Sequence, residues 1–380
     1  MTGRKKSVSR SLLDGNEAIA LGAFEAGCQF YAGYPITPAT TIFNTMMGLL
    51  PPEGGICIQC EDEIASIGTC LGASMAGKKV MTATSGPGLS LYSENISFAI
   101  GGEIPIVIVI VQRLGPSTGI ATRGADSDIQ FIRWGCTGGL PVITLAPSSI
   151  SDCYSLTMQA FNLAEKYRCP VFIATNKEIG MTKESVALDL IEKPAIINRR
   201  RPENKTGYQP FAVSNPDQVP DFLPIGDETL VRQNSLVHGP DGYITTDPDV
   251  ISEYQKRLKR KVESHVDEFT YYDEIAEVSA DTLLITYGIS ARAAKEAQGR
   301  LSSLNQPVSL LVLKTLWPVP ENLIRTKAKP YRHIITIEMN LGQYHQEIER
   351  LLPGKQVDLI CQLDGSLISP ETIIKEVINE

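Results

Sequence analysis

No window of this 380-residue sequence approaches the roughly 18 consecutive apolar residues that a membrane span needs. The strongest run, Ile104 to Val111, is strand-sized and stops at Gln112 and Arg113. Basic residues are also scarce. The 35 Lys and Arg face 43 Asp and Glu, a net charge of -8, so nothing recruits nucleic acid or an anionic membrane electrostatically. Histidine is limited to His238, His265, His333 and His345, and no HExxH, GxSxG or GxxxxGK[ST] segment occurs, which removes support for hydrolase and kinase chemistry. The start, MTGRKKSVSR, is basic but has neither the apolar stretch nor the cleavage site of a secretory signal. It reads as a disordered or loosely docked arm, and the expected location is the cytoplasm. The eight cysteines lie mostly in apolar runs and predict no disulfide framework. Cys57 and Cys60 form one CxxC without a second pair or a nearby histidine, and they read as strand residues entering a core.

What is present is alternation. With 43% hydrophobic residues the chain can bury a large core, and its length calls for two domains. From Gly15 to about Asn176, the segments CQFYAGY, ICIQCE, KKVMTAT, IPIVIVIVQ, PVITLA and PVFIAT read as strands separated by helix-length amphipathic stretches. Continuous β-branched runs mark strands covered on both faces, so the fold class is α/β with a parallel, doubly wound sheet. The pattern fails after Lys183, and residues 190–250, rich in Pro, Asn, Asp and Gly, read as a long structured excursion followed by a charged helix. A second α/β unit of four strands, TLLITYG, PVSLLVLK, HIITIE and QVDLICQ, begins near Asp281. The expected domains are therefore 1–265, including the excursion, and 270–380.

Four strand ends in the first domain carry chemistry. Gly33-Tyr34-Pro35-Ile36-Thr37-Pro38 lies where open α/β sheets bind ligands, and Thr37, held by its flanking prolines, could offer its hydroxyl to a carboxylate. Glu61-Asp62-Glu63 ends a strand and heads a helix of small residues (Ala65, Gly68, Gly72, Ala73, Ala76, Gly77). Such a helix permits close approach by another backbone, so the carboxylate at its head should lie in a packed interface, where burial readies it for proton exchange. Ser85-Gly86-Pro87-Gly88 lacks the third glycine of a dinucleotide loop and reads either as a phosphate-binding turn or as a tight turn exposing backbone amides. Finally Gln112-Arg113-Leu114-Gly115-Pro116-Ser117-Thr118-Gly119 places Arg113 where it could fork onto a carboxylate, or pair structurally with Asp128.

Taken together, YPITP, QCEDEIASIGTCLGASMAGKK, TATSGPGLSLYSENI and QRLGPSTG resemble the α-subunits of 2-oxoacid:ferredoxin oxidoreductases over residues 12–180. YGISARAAKEA, LKTLWPVP and HIITIEMNLGQ are similar to that family's transketolase-C-terminal-like domain. The resemblance implies a pyrimidine-binding module for thiamine diphosphate, with Glu63 as the catalytic residue on the pyrimidine nitrogen and Glu61 and Asp62 as weaker candidates. Pro35, Ile36, Ser85 and Gly86 would complete the cofactor contacts. It also implies that Thr37 and Arg113 hold the 2-oxoacid carboxylate, and that Asp128 and Arg133 organise the pocket.

The sequence has no GDG with a distant Asn for magnesium and diphosphate, no CxxCxxC cluster and no GxGGxG segment. The resemblance therefore assigns the diphosphate, Mg2+ and [4Fe-4S] sites to a β-subunit and other partners, namely a γ-subunit, a ferredoxin-like δ-subunit and external ferredoxin, with coenzyme A as co-substrate. GPSTG followed by Thr122-Arg123 is similar to members acting on 2-oxoglutarate, with Arg123 for the second carboxylate. IATRG and DIQFIRWG are similar to branched-chain members, and pyruvate is a further alternative. Two readings of another class stand beside these: a nucleotide- or coenzyme-A-binding module without redox chemistry, and a non-catalytic assembly subunit.

Overall fold

In a computed structural model, which describes residues 10–215 and 217–379, the alternation begins with β1 (Ser11–Leu13) and α1 (Gly15–Glu25). A capping box opens α1: Asp14 accepts from the Glu17 amide at 2.8 Å, and Glu17 accepts from the Asp14 amide at 2.9 Å. There follow β2 (Phe30–Gly33), α2 (Thr40–Leu49), β3 (Ile56–Gln59), α3 (Glu63–Met75), β4 (Val80–Thr84), α4 (Gly86–Gly101) and β5 (Ile106–Gln112). The first half closes with α5 (Ile129–Trp134), β6 (Ile143–Leu145), α6 (Ile150–Tyr167), β7 (Pro170–Asn176), α7 (Lys177–Met181) and β8 (Glu184–Val186). Of the basic N-terminal arm, residues 1–9 lie outside the described residues.

The main sheet has seven strands in the order β12-β6-β7-β5-β4-β2-β3, where β12 is Thr315–Trp317 from the C-terminal part of the chain. β5 is central and wholly buried. Val107, Val109 and Val111 enter the core beneath α1, α2 and α6, while Ile106, Ile108 and Ile110 enter the opposite core with α3 and α4. β3 departs from the expected two-sided cover. It is the sheet edge, with Ile56 and Ile58 exposed, because no element follows it on that side. Its Cys57 packs toward the first core and Cys60 toward the second, so the two thiols serve opposite faces. Both are free.

The excursion contains no strand or α-helix among its described residues until α8 (Pro248–Glu263). Buried cations hold it instead. Arg168 donates to the carbonyls of Pro210, Pro220 and Asp221, and Arg199 pairs with Glu165 at 2.9 Å while reaching the carbonyls of Ser74 and Lys78.

The second sheet, β14-β13-β10-β11-β9, contains the four expected strands: β10 (Thr282–Tyr287), β11 (Val308–Leu313), β13 (His333–Glu338) and β14 (Gln356–Cys361). It adds an antiparallel strand that the apolar pattern did not announce, β9 (Tyr272–Ile275), whose polar composition reflects its exposed edge. Its helices are α9 (Ser290–Ser303), α10 (Glu321–Ala328), α11 (His345–Leu351) and α12 (Pro370–Asn379). LKTLWPVP crosses the expected division: β12 pairs antiparallel with β6 of the first sheet, and Trp317, 1% exposed, donates from Nε1 to the Ile129 carbonyl at 3.1 Å. Both apolar cores accordingly run through both sheets. No helix among the described residues is long and apolar enough to cross a membrane.

Candidate active site

A cleft of about 570 Å3 lies between the carboxyl end of β5, the first turn of α4 and the Met339–Gln343 segment that follows β13. Its first-domain wall includes Arg113, Leu114, Asp128 and the α4 turn at Gly86 and Pro87, and its second-domain wall includes Met339, Asn340, Leu341 and Gln343.

Glu63 begins α3, with Asp62 as its N-cap accepting from the Ala65 amide at 2.7 Å. Asp62 is thus committed to the backbone, and Glu61 is exposed. Glu63 is only 7% exposed and has no hydrogen-bond or ion-pair partner among the described residues. It leans on the first turn of α4, where a Cβ placed on Gly88 would lie 2.6 Å from Glu63 Cγ and 2.0 Å from Thr84 Oγ1. The close approach therefore depends on a glycine of α4 and not on the small-residue face of α3. Within this chain Gly72 meets nothing within 4 Å, and Ile64 is 50% exposed.

On the other side of the same α4 turn sits Asp128, whose carboxylate would be 3.1 Å from a Cβ on Gly86. Its backbone N–H donates to Gln112 Oε1 at 2.8 Å, and its Oδ2 is buried without a partner. Burial raises its pKa to about 6, and the nearby Arg113 guanidinium opposes the rise. Arg113, 8% exposed, donates from Nη1 to the Thr37 carbonyl at 2.6 Å, while its Nε is buried and unpaired. Arg113 thus joins the YPITP loop to the cleft through the backbone of Thr37, a residue exposed at the surface. The loop itself is fixed from behind by Asn16, whose Nδ2 donates to the Pro38 carbonyl at 2.8 Å and to Thr41 Oγ1 at 2.6 Å. Pro35 and Ile36 are half-buried in this loop, and Ser85 Oγ is buried without a partner at the head of α4.

Arg123 stands outside the cleft lining. Residues 114–123 fold back on themselves, with the Leu114 amide donating to the Arg123 carbonyl at 2.8 Å and the Ile120 amide to the Leu114 carbonyl at 2.9 Å. Gly119 is required there, since a Cβ would lie 1.6 Å from the Leu114 oxygen at a φ of +48°. The stem of Arg123 rests on Gly365 of the second domain, where a Cβ would approach to 2.8 Å, and the residue as a whole is exposed. Arg133 is not brought into the cleft either. It stacks on Trp134 at 3.8 Å, donates to the Leu140 carbonyl at 3.2 Å, and lines a separate cavity with Glu263 and Glu347.

Three parts of the arrangement escaped the sequence reading: Asn16 behind the YPITP loop, buried Asp126, and the pair Asn340 and Gln343 in MNLGQ. Asp126 accepts from Asn176 Nδ2 at 2.9 Å, its Oδ2 has no partner, and burial together with Glu338 and Asp128 raises its pKa to about 7. Asparagines inside βα turns give no periodic signal. The only available hint was MNLGQ at a strand end.

The family model described as pyruvate flavodoxin/ferredoxin oxidoreductase, thiamine-diphosphate-binding, matches residues 21–256, and that of pyruvate:ferredoxin oxidoreductase core domain II matches residues 280–373. The chain belongs to the 2-oxoacid:ferredoxin oxidoreductases, as an α-subunit. This α-subunit is 40% identical to the 2-oxoglutarate synthase subunit KorA of Methanocaldococcus jannaschii, over 96% of the chain and 98% of the relative. It is 34% identical to the ketoisovalerate oxidoreductase subunit VorB of Methanothermobacter marburgensis, over 97% of each. Among solved structures, the 2-oxoglutarate:ferredoxin oxidoreductase of Magnetococcus marinus with 2-oxoglutarate, coenzyme A and succinyl-CoA bound superposes with a TM-score of 0.92 at 32% identity, covering all of the α-subunit and 66% of that chain. A split-gene transketolase, 12% identical with a TM-score of 0.57, shares the fold.

Proposed function

We propose that the α-subunit works in a coenzyme-A-acylating 2-oxoglutarate:ferredoxin oxidoreductase, which converts 2-oxoglutarate to succinyl-CoA and passes electrons to ferredoxin. The observation that carries the reading is Glu63: a nearly buried carboxylate without a partner, seated against Gly88 at the strand ends of a thiamine-diphosphate-binding domain. An unpaired carboxylate there suits a pyrimidine ring entering from the exposed side of α3, where it would hold a proton at the ring nitrogen. Pro35, Ile36, Ser85 and Gly86 are the other candidate contacts. Thiamine diphosphate, when bound, supplies the nucleophilic carbon that decarboxylation of a 2-oxoacid requires. Arg113, with an unpaired Nε facing inward, would pair with the carboxylate beside the keto group, and Thr37, whose carbonyl already holds Arg113, would act with it. Asp128 would shape that pocket, and Arg133 would act on it only from the far side of α5. Arg123, at the rim, would meet the distal carboxylate of 2-oxoglutarate.

Mg2+ and [4Fe-4S] are assigned to partner subunits, in keeping with the family to which the chain belongs. Those partners are a β-subunit carrying the diphosphate site, a γ-subunit, a ferredoxin-like δ-subunit and external ferredoxin, in the cytoplasm. The names of the relatives support 2-oxoglutarate over the branched-chain alternative, since the relatives named 2-oxoglutarate synthase are 37–40% identical and the ketoisovalerate ones 33–34%.

In the assembled enzyme Glu63→Gln keeps the shape of the side chain and removes the proton. Turnover should fall by roughly 10²-fold or more with subunit assembly intact. Hydrogen–deuterium exchange at the thiazolium carbon of bound cofactor, followed by NMR, should slow in parallel. Exchange at the wild-type rate would assign the proton to another group.

A further inference from the structure

The segment that carries Asp128 belongs to the first domain, yet most of the contacts that bracket it come from the second. The Asp126 amide donates to the Met339 carbonyl at 3.2 Å, and Asn340 Nδ2 donates to the Asp126 carbonyl at 2.7 Å. Gln343 Nε2 donates to the Ser127 carbonyl at 2.6 Å. The Gln130 amide donates to Gln343 Oε1 at 2.9 Å, and Gln130 Nε2 donates to the Gln343 carbonyl at 2.6 Å. Residues 126, 127 and 130 are therefore each gripped from across the cleft, with Asp128 between them. The grip is itself anchored. Asn340 Oδ1 accepts from the Gln343 amide at 2.8 Å, and Asn340 Nδ2 also donates to Tyr287 Oη at 2.8 Å. Tyr287 in turn donates to Glu338 Oε2 at 2.9 Å. Glu338, 2% exposed, is held by the Tyr344 amide at 3.0 Å and the His345 amide at 2.6 Å.

We propose that Gln343 and Asn340 are positioning residues for the substrate cleft: from the second domain they fix the 126–130 segment, so that the Asp128 carboxylate stays against Arg113 and the first turn of α4. The first domain alone provides a weaker frame, namely Gln112 on the Asp128 amide and Asn176 on the Asp126 side chain. Gln343 and Asn340 stand in the cleft wall beside the segment they hold, so losing their contacts would loosen that segment and, with it, the placement of Asp128. This assignment rests on the reading of the cleft as a 2-oxoacid site, and it gives the second domain a part in setting that site.

The test uses the assembled enzyme. Gln343→Ala removes both the donor to Ser127 and the acceptor for the Gln130 amide, whereas Gln343→Glu keeps the acceptor and loses the donor. Hydrogen exchange measured by mass spectrometry without substrate should show the 126–130 segment of Gln343→Ala exchanging at least tenfold faster, with β5 and β7 unchanged and Gln343→Glu between the two. For 2-oxoglutarate, kcat/KM of Gln343→Ala should fall roughly ten- to a hundredfold, the size of effect a misplaced pocket group produces. In an Asp128→Asn background the same substitution should add little further loss, because both changes act through one carboxylate. Unchanged exchange at 126–130, or losses that multiply in the double variant, would overturn the proposal. Should the wild-type enzyme fail to use 2-oxoglutarate, the substrate reading falls while the exchange result still decides the positioning role.

Discussion

Arg113 and Arg123 leave the same strand end, but the fold gives them different surroundings. Arg113 is nearly buried, tied to Thr37 and part of the cleft wall, while Arg123 is exposed outside the cleft lining with its stem on Gly365. Losing a charge-assisted contact costs about 1.5–3 kcal/mol. Arg123→Ala should therefore lower kcat/KM for 2-oxoglutarate roughly ten- to over a hundredfold and leave 2-oxoisovalerate little changed, whereas Arg113→Ala should impair both substrates. Equal losses on both substrates for Arg123→Ala would mean that it supports the loop alone. Asp126 makes a different prediction. Its pKa is raised to about 7 by burial and by Glu338 and Asp128, so its protonated form favours the folded state. That stabilisation is complete below the ordinary aspartate range, near pH 3.8, and is lost as pH rises through about 7. Asp126→Asn, which can still accept from Asn176, should melt at a higher temperature than the wild type at pH 8, with the gap closing as pH is lowered toward 4. A gap independent of pH would show that charge at Asp126 is not the cause.

At the scale of elements, α8 is an amphipathic helix docked through charge. Glu103, 0% exposed at the turn between α4 and β5, accepts from Arg257 and, at 2.9 Å, from Lys261, and these two cations hold its carboxyl well below the usual carboxylate range. Tyr254 on the same helix donates to the Gly101 carbonyl at 2.9 Å. Removing one member of a buried ion group strands the others without compensation and costs about 3–5 kcal/mol. Glu103→Gln should thus lower the unfolding midpoint in urea sharply, and it should expose the 190–250 excursion to protease before β5. Replacing one of the exposed charges of α8, as in Lys259→Ala, should change the midpoint little. An equal response to both substitutions would rule out docking by the buried group.

At the scale of the molecule, the proposed function has the α-subunit contribute one part of a divided site. In the proposed reading Glu63 and the exposed side of α3 would hold the pyrimidine ring, while the pyrophosphate, which carries most of the cofactor's charge, would be held by a partner subunit. Calorimetry on the purified α-subunit should accordingly detect only weak binding of thiamine diphosphate with Mg2+, strengthening when the other subunits are added. Submicromolar binding by the single chain would contradict a divided site.

Much of this was legible in the residues because it is local. The continuous apolar runs of β4, β5 and β7 and the glycine turn before α4 each respond to forces within a few residues, so the alternation of strand and helix could be read directly. The candidate residues Glu63, Thr37 and Arg113 were likewise read from strand ends, where parallel sheets place their chemistry, while Asp128 came from the resemblance and as a possible partner of Arg113. What remained hidden depends on contacts between distant segments. LKTLWPVP looks like any strand of the second unit, and only the open edge of β6 makes β12 join the first sheet. The loop that folds back between Leu114 and Arg123 leaves Arg123 outside the cleft lining, and Arg133 leaves α5 toward a separate cavity while Phe131 of the same helix lines the cleft. Asn340 and Gln343 acquire a role only because the two sheets bring Met339–Gln343 opposite β5. Local sequence determined the elements and their chemistry, whereas the burial of two cores shared between both sheets decided which side chains face one another.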